Sequence, residues 1–223
     1  MGTQVRDDLV SAKVAPTAKF SVFFPGLNFP AFPARATARE SLNLDPNYLY
    51  CVFIGRLTQI KRPDRLLEVS KVVSQSNPQV KFLVVGDGDL GNEMKEKSKA
   101  QNLPVQFLGW RQDISTILAA ADLLILTSDN EAVALTLIEA SQAGIPVVTT
   151  PAGSVRDIAV DSLNGYVAEF TPESLASKVL LLAESADLRR QMGVAGQQRA
   201  KEFFSISHMV KSHDELYKKL LSS

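Results

Sequence analysis

Glu131 and Glu139 are the residues whose type and spacing are best suited to chemistry. Glu131 follows the apolar run Leu123–Ser128, where a strand is expected to give way to a helix, and Glu139 shares one face of that helix with Leu135 and Ile138. An ionised carboxylate among apolar groups is costly unless it accepts hydrogen bonds. Those bonds would come from a partner inside the protein or from the hydroxyl groups of a ligand such as a sugar. Loops at the carboxyl ends of parallel strands are where open α/β sheets bind ligands.

A glycine followed by two basic residues forms a second candidate site, directly after the first strand-like run. Gly55 lets the chain turn sharply, and Arg56 and Lys61 then flank the start of a predicted helix. A helix N-terminus favours anions, and the planar fork of Arg beside the point charge of Lys suits a diphosphate. Basic residues in loops are otherwise solvated surface groups. The assignment therefore gains its weight from the two glutamates one loop away in the predicted sheet.

The run from Gly86 to Gly91 reads G-D-G-D-L-G, the pattern of a dinucleotide-binding turn. It follows the second strand rather than the first, and the acidic residue expected about 20 positions further on has only Asp113 as a candidate. A tight turn whose backbone lines a nucleotide pocket at Gly88 is the interpretation we favour. A base could then lie across the end of the third strand and hydrogen-bond to the backbone around Leu108.

These candidate residues lie on a regular alternation of strands and helices that starts at residue 48. Amphipathic stretches such as Asp64–Gln75 and Asn92–Gln101 separate short apolar runs. This alternation indicates βαβ units and a parallel sheet that is buried on both faces. The predicted fold class is α/β, a Rossmann-like three-layer domain with a six-stranded parallel sheet. The predicted strands are Tyr48–Ile54, Lys81–Val85, Val105–Leu108, Leu123–Thr127, Pro146–Thr150 and Gly165–Ala168.

Three local signals predict helix boundaries in the second half of the chain. Ser154 and Asp157 have the spacing of a capping box, and Thr171 before Pro172 predicts an N-cap and a first helical residue. From residue 172 the chain is expected to be helical to its end, with Gly193 and Gly196 as breaks.

The first 47 residues do not follow the alternating pattern. Five phenylalanines between residues 20 and 32 are interrupted by prolines, which deny this stretch a helix and confine any strand to a short piece near Phe20–Phe24. Such a segment needs an apolar surface to cover. That surface is either the flank of this domain or a neighbouring domain.

Composition excludes several classes of function. The formal net charge is zero, so nothing favours nucleic acid as a partner. One cysteine and two histidines leave no plausible zinc site and no internal disulfide, which makes a reducing cytoplasm the expected compartment. No apolar run approaches the roughly 18 residues that span a bilayer, and the N-terminus has no signal-peptide core.

Taken together, these segments resemble the donor-binding half of family 4 glycosyltransferases, which have the GT-B fold. The matching pieces run in order through PGLNFPAF, FIGRLTQIKRPDRLL, FLVVGDGDL, VQFLGW, ADLLILTSDNEAVALTLIEASQAGIPVVTT and NGYVAE, and they extend over essentially the whole chain. The resemblance implies retaining transfer of a sugar, of the hexosyltransferase class, from a nucleotide diphosphate donor. It implies a role in carbohydrate biosynthesis without a required metal or a further cofactor.

Carried over by motif, the resemblance assigns a role to each candidate residue. Arg56 and Lys61 would neutralise the diphosphate, Glu131 would hold hydroxyls of the donor sugar as the catalytic-site carboxylate, and Glu139 would hold the ribose hydroxyls. The donor-binding set is Gly55, Arg56, Lys61, Gly88, Leu108, Glu131, Ala134, Leu135 and Glu139.

Two stretches depart from the pattern of the family. After the first glutamate, members usually have a glycine and then a glycine or proline near the third following position, with backbone amides that approach the donor closely. This chain has Ala132, Val133, Ala134 and Leu135 there, whose side chains are expected to crowd the donor. Asp157 stands where the family often has Glu. Both departures concern the identity of the donor, UDP-, GDP- or ADP-linked, rather than the fold.

The resemblance further implies an N-terminal, acceptor-binding domain that is missing from this sequence. Residues 1–33 are interpreted as the last helix and strand of that domain with the linker, 34–204 as the nucleotide-sugar-binding domain and 205–223 as a C-terminal helix. Alone, the chain is expected to bind donor weakly and transfer nothing. It is expected to expose the Phe-rich segment and part of the C-terminal helix, which favours self-association. The expected location is the cytoplasm, with peripheral attachment to the inner face of the membrane through the missing domain as an alternative.

Three other functions stay open from the residues. A nicotinamide-dependent oxidoreductase domain would use the G-D-G-D-L-G turn, so it would lose NADH binding on replacement of Gly88 and be indifferent at Glu139. The others are a nucleotide-sugar epimerase of the same fold and a non-catalytic module that binds sugar nucleotides.

Overall fold

The computed structural model describes residues 2–28 and 31–222, and it confirms the predicted α/β class. A single six-stranded sheet has the order β3-β2-β1-β4-β5-β6, and every neighbouring pair is parallel. Each predicted strand is present and differs from its prediction by one residue or so at its ends. The strands are β1 (Leu49–Ile54), β2 (Val80–Val85), β3 (Val105–Gly109), β4 (Leu123–Leu126), β5 (Val147–Thr149) and β6 (Gly165–Val167).

Helices cover both faces of the sheet, which explains why the strands are apolar at consecutive positions. In β1, Val52 and Ile54 face one core, whereas Cys51 and Phe53 face the other. The two cores give the three-layer arrangement of a doubly wound domain. The helices are α1 (Thr3–Ser11), α2 (Arg35–Ser41), α3 (Pro63–Ser76), α4 (Gly91–Ala100), α5 (Ile114–Ala120), α6 (Leu135–Ala143), α7 (Pro172–Glu184), α8 (Ala186–Phe203) and α9 (Ile206–Leu221).

The strand order reverses between β1 and β4, and this reversal positions the site. The chain moves outward from β1 to β3, returns to β4 beside β1, and then moves outward the other way. The connections that leave the carboxyl ends of β1 and β4 therefore diverge and leave a crevice between them. Both candidate motifs, after Ile54 and after Leu126, open into this crevice.

One of the predicted helix boundaries is confirmed and one is wrong. The hydroxyl of Thr171 accepts a hydrogen bond from the Ser174 amide at the start of α7, as its position before Pro172 predicts. Ser154 and Asp157 do not form a capping box, because residues 153–157 form a 3₁₀ turn. The Asp157 carboxylate instead accepts hydrogen bonds from the amide and hydroxyl of Thr3, at the N-terminus of α1.

The predicted breaks at Gly193 and Gly196 are also wrong, because α8 runs through both. The helical region is interrupted instead at Ser185 and Ser205, whose hydroxyls cap α8 and α9. Gly193 is needed for packing: a Cβ there would lie 1.9 Å from the carbonyl oxygen of Gly144, at the end of α6. The glycine thus lets α6 and α8 approach closely.

The N-terminal segment packs on the body of the domain more than the sequence predicts. It contains α1, but residues 20–28 form neither a helix nor a strand, so the expected strand near Phe20–Phe24 is wrong for the described residues. Phe23 stacks on His213 of α9, with ring centroids 4.2 Å apart, and Phe24 packs edge-on against Phe204. The expected exposure of the Phe-rich segment is therefore wrong for these rings. Phe29 lies outside the described residues.

The outer face of α9 does expose apolar side chains, as expected. Val210, Tyr217 and Leu220 are each more than half exposed. None of the helices within residues 2–28 and 31–222 has both the length and the apolar character needed to cross a bilayer.

Two glycine-to-alanine changes on α8 should have opposite effects on stability. Gly193→Ala should lower the free energy of unfolding by about 1–3 kcal/mol, because the new methyl group collides with the Gly144 carbonyl. Gly196→Ala should be neutral or stabilising by up to about 1 kcal/mol, because its Cβ would make ordinary contacts with Ser141 and alanine favours the helix. Urea titration of both variants measures this, and equal effects would contradict the close approach of the helices.

Candidate functional site

A cleft of about 260 Å³ opens over the carboxyl ends of β1 and β4. The loop after β1 contributes Gly55, Arg56 and Lys61 to its lining, and the region before α6 contributes Glu131 and Ala134. The two predicted motifs thus meet although they are far apart in sequence. Their meeting point is an ion pair in which Lys61 Nζ lies 2.6 Å from Glu131 Oε1.

Glu131 is held rigidly for a residue at a cleft. Its exposed fraction is 6%, and Oε1 also accepts a hydrogen bond from the Ser128 hydroxyl at 2.6 Å. Its main-chain carbonyl accepts from the Ser154 amide at 2.9 Å. Gly153 makes this contact possible, since it has φ +54° and a Cβ there would lie 2.2 Å from the Glu131 carbonyl oxygen. Oε2 takes no hydrogen bond from the described residues, so it is the atom available to a ligand.

The loop after β4 also holds Lys61 in place. Lys61 ends a 3₁₀ turn, and Arg62, the next residue, has a left-handed backbone with φ +51°. The Thr127 hydroxyl lies 2.9 Å from the Lys61 carbonyl and 3.0 Å from that of Arg62. The Asp129 amide donates to the Ile60 carbonyl at 2.9 Å. The turn that carries Lys61 is therefore attached to β4 on both sides of the lysine.

Two arginines and two aspartates reinforce this attachment. Arg65 donates to the Thr127 carbonyl and to Asp129, while Arg62 donates to both Asp64 and Asp129. The hydrogen bond from Arg62 lowers the pKa of the Asp64 carboxyl. Burial acts to raise the pKa of Asp129, but the hydrogen bonds from Arg65 and Arg62 outweigh it and the net change is downward. Both carboxylates thus stabilise the fold above their ordinary pKa of 3.8, and this contribution is lost as pH falls through the lowered values.

Arg56 is a cationic side chain that no carboxylate of the described residues pairs with. It is exposed and makes no ion pair or side-chain hydrogen bond with the described residues. It also lines a second cleft of about 470 Å³ over the ends of β2 and β3. Beside the first cleft α6 begins after Ala134, and its first amides have no intrahelical partner. The site therefore combines two basic side chains with a helix N-terminus, an arrangement suited to a phosphate group.

The second cleft has a flat apolar wall with polar neighbours. Trp110 is 70% exposed, and it lines this cleft together with Arg111, Gly86 and Asp87. Leu108 is partly buried and packs against the core, so its side chain does not form the wall. An exposed indole beside Arg111 could accept a stacked base.

The G-D-G-D-L-G turn has a packing role at its first two glycines. Gly86 has φ +126°, and a Cβ there would lie 2.0 Å from the Gly55 carbonyl oxygen. A Cβ at Gly88 would lie 2.5 Å from the Leu57 carbonyl oxygen, so this residue packs on the loop after β1. Asp113 forms an ion pair with Arg111. The turn also follows β2, one strand away from the switch point, which speaks against a dinucleotide fingerprint.

Glu139 is not on the deeply buried face of α6, so this part of the sequence prediction is wrong. The residues that enter the core are Leu137, Ile138 and Ala140, whereas Leu135 is 44% exposed in the cleft wall. Glu139 lies one turn after Leu135 on the same side and is partly buried. Burial raises the pKa of its carboxyl. No ion pair or hydrogen bond reaches that carboxyl from residues 2–28 and 31–222, so the alternative of a protein partner is wrong for these residues.

Four residues that hold Lys61 and Glu131 in place were missed by the sequence analysis. They are Thr127, Ser128, Arg65 and Asp129. The available signal was the polar run T-S-D directly after β4, in the crevice between diverging loops. Across the part of the chain that the structure describes, no three His, Cys, Asp or Glu side chains cluster as metal ligands would. The positive charge that faces the cleft comes from Arg56 and Lys61.

The fold defines a class: a Rossmann-like α/β domain of the kind that forms one half of a GT-B fold, with a cleft at the switch point of its sheet. The chain belongs to the family described as "Glycosyl transferases group 1", which it matches over residues 34–199.

Known proteins agree with this assignment. The chain is 30% identical over 200 residues to the D-inositol 3-phosphate glycosyltransferase of Segniliparus rotundus, a match that covers 85% of this chain and 44% of that protein. Anabaena Alr3699/HepE in complex with UDP and glucose superposes with a TM-score of 0.83 at 22% identity, over 100% of this chain and 62% of that one. The C-terminal domain of a group 1 glycosyl transferase (LpcC) from Francisella tularensis has a TM-score of 0.70 at 23% identity, over 83% and 97%. This chain spans about half the length of the curated relatives it matches.

Replacing Glu139 should stabilise the ligand-free chain at neutral pH. Because its folded-state pKa is raised, ionised Glu139 costs stability at pH 7, and the cost disappears as pH falls through the raised value to below the ordinary 4.5. Glu139→Gln should therefore unfold at a higher urea concentration at pH 7, and the difference should vanish near pH 4. Glu96→Gln, an exposed site on α4, is the matched control. A destabilised Glu139→Gln variant would show that the carboxylate has a structural partner.

Proposed function

We propose that this chain is the donor-binding half of a retaining, family 4 glycosyltransferase that takes a hexose from a nucleotide diphosphate sugar. The observation that carries the proposal is the pairing of Lys61 with Glu131 at the switch point, with Arg56 unpaired beside it. These groups complement the two parts of such a donor: phosphate for the cations and sugar hydroxyls for the carboxylate.

In this proposal the diphosphate lies between Arg56, Lys61 and the N-terminus of α6. Arg56 lines both clefts, so one diphosphate there would join a base in the cleft beside Trp110 to a sugar in the cleft beside Glu131. The backbone around Ala134 and Leu135 faces the sugar side of the proposed donor site. The alanine and leucine side chains occupy space there that a glycine would leave open. Gly55, directly after β1, lines both clefts and has no side chain that would crowd the phosphates.

The two glutamates divide the hydroxyl groups of the donor. Glu131 has one bonded and one available carboxylate oxygen, so it would orient hydroxyls of the sugar next to the reacting carbon. Glu139 carries a partly buried carboxylate without a protein partner, and ribose hydroxyls would supply the hydrogen bonds that it lacks. A UDP-linked donor is the first choice to test, because the Anabaena neighbour was solved with UDP and glucose.

A complete active site would require a second, acceptor-binding domain, as the twofold length of the relatives suggests. In two-domain transferases closure excludes water and completes the catalytic set. In the isolated chain the phosphates would stay in water, where each ion pair is worth far less.

Removing the amino group of Lys61 should weaken binding of the donor. A hydrogen bond to a charged group is worth roughly 1.5–3 kcal/mol, so Lys61→Ala should raise the dissociation constant of the nucleoside diphosphate by about 10- to 100-fold. Lys71→Ala, an exposed position on α3, should have no effect. Calorimetry with UDP, GDP and ADP measures this, and unchanged affinity in Lys61→Ala would remove the assignment.

Replacement of Glu139 and Gly88 separates the proposed function from an oxidoreductase. Glu139→Gln should weaken donor binding, because a charged acceptor for two hydroxyls becomes a mixed donor and acceptor. The same titration with NADH should show no binding. Tight NADH binding that is lost on replacing Gly88 and unaffected at Glu139 would favour the oxidoreductase instead.

The 223-residue chain alone should bind donor weakly and transfer nothing. We expect a dissociation constant on the order of 0.1–1 mM for the nucleotide sugar. Supplying the acceptor-binding half should tighten this value and produce turnover. Chromatography of the released nucleotide measures this. Robust transfer or donor hydrolysis by the isolated chain would contradict the proposal.

A further inference from the structure

Two adjacent hydroxyl groups at the end of β4 each bond to a different half of the proposed donor site. Thr127 and Ser128 are both completely buried. The hydroxyl of Thr127 lies against the main chain at Lys61, and that of Ser128 bonds to the carboxylate of Glu131. Since consecutive residues of an extended chain point in opposite directions, this short stretch can reach both groups at once.

Thr127 acts on the backbone that carries Lys61. Its single proton is shared between the carbonyls of Lys61 and Arg62, at 2.9 and 3.0 Å, where the chain changes from a 3₁₀ turn to the left-handed conformation. Its own carbonyl accepts from Arg65 at 2.6 Å. Arg65 therefore fixes the backbone of Thr127, and the hydroxyl of Thr127 fixes the turn. The position of this turn determines how far the Lys61 side chain reaches into the cleft.

Ser128 acts on the same carboxylate oxygen as Lys61. Both its hydroxyl and Lys61 Nζ lie 2.6 Å from Glu131 Oε1, and the Ser128 carbonyl accepts a hydrogen bond from the hydroxyl of Thr150, directly after β5. If a diphosphate draws Lys61 away, Ser128 is the remaining donor to a buried anion. It would keep the carboxylate hydrogen-bonded and leave Oε2 free for a sugar hydroxyl.

We propose that Thr127 and Ser128 are positioning residues of the donor site, Thr127 for the contact of Lys61 with the β-phosphate and Ser128 for the contact of Glu131 with the sugar. This inference rests on the proposed function. It predicts that Thr127 affects binding of the β-phosphate and that Ser128 affects binding of the sugar. Two buried hydroxyls with a purely structural role would not affect one part of the donor more than the other.

The test uses ratios of dissociation constants, in which any general loss of folded protein cancels. Calorimetric titration of the 223-residue chain with UMP, UDP and UDP-glucose gives one ratio for the β-phosphate and one for the sugar. The guanosine or adenosine series replaces these ligands if the wild-type chain prefers that base.

Thr127→Val should reduce the preference for UDP over UMP by about 3- to 10-fold, which corresponds to the loss of one hydrogen bond. Thr127→Ser keeps the hydroxyl and should restore the preference. Ser128→Ala should leave the preference for UDP over UMP unchanged and reduce the preference for UDP-glucose over UDP by about 3- to 10-fold.

A buried hydroxyl away from the cleft provides a matched control. Ser70 donates to the Leu67 carbonyl within α3. Ser70→Ala should lower stability without changing either ratio. If Thr127→Val does not fold, Thr127→Ala replaces it, because alanine removes the same hydroxyl without a new methyl group facing the two carbonyls.

The outcomes distinguish this inference from the proposed function. A wild-type chain that binds none of the three nucleotide series removes the proposed function and this inference with it. A wild-type chain that binds, with both ratios unchanged in Thr127→Val and Ser128→Ala, removes only the inference. A wild-type chain that binds UDP-glucose no more tightly than UDP removes the part that concerns Ser128.

Discussion

The contact between the loop after β1 and the loop after β4 is the constraint on which the site depends. Strands β1 and β4 share only a short register, Cys51 with Leu123 and Val52 with Leu124, before their connections diverge. Beyond this register, the hydroxyl of Thr127 and the backbone amide of Asp129 donate hydrogen bonds to the turn that carries Lys61. Without these bonds Lys61 would lie on a free loop. Ordering its side chain for the ion pair with Glu131 would then cost as much conformational entropy as it does in surface ion pairs, which contribute little to stability.

The same pair of strands is fastened at its opposite end by a second ionic cluster. Asp122, directly before β4, accepts hydrogen bonds from Arg35 and Arg39 and from the amide of Tyr50 in β1. Burial lowers the pKa of Arg39 and Asp122 opposes this change, and each of the three guanidinium nitrogens donates a hydrogen bond. Both ends of the β1–β4 contact are thus held by charged groups. One end is saturated by partners within the protein, and the other leaves Arg56 and one oxygen of Glu131 available.

Under the proposed function, this asymmetry marks the region where stability is exchanged for donor binding. A buried ion pair such as Lys61 with Glu131 adds little net stability, because desolvation offsets the attraction. Glu139 is costlier, since its carboxylate is partly buried without a partner. Both costs are concentrated within the first cleft and the helix beside it, whereas the buried pair of Asp122 and Arg39 at the opposite end of β4 is hydrogen-bonded within the protein. Groups that are expensive in the empty protein and complementary to a ligand are typical of a binding site.

The sequence by itself determined the six strands and their parallel direction, and it determined the cap at Thr171. It also identified the candidate residues Arg56, Lys61 and Glu131. These follow from period, β-branching and turn chemistry, which are local. Only the tertiary structure decided that Lys61 meets Glu131, 70 residues away, and that Thr127 and Ser128 hold them. It also decided which stripe of α6 faces the core, because helical spacing fits Glu139 and Leu137 equally well. At Gly193 the local preference predicts a helix break. The structure gives a different reason for Gly193, because the carbonyl of Gly144 leaves no room for a side chain there. This close approach of two helices cannot be predicted from the local sequence.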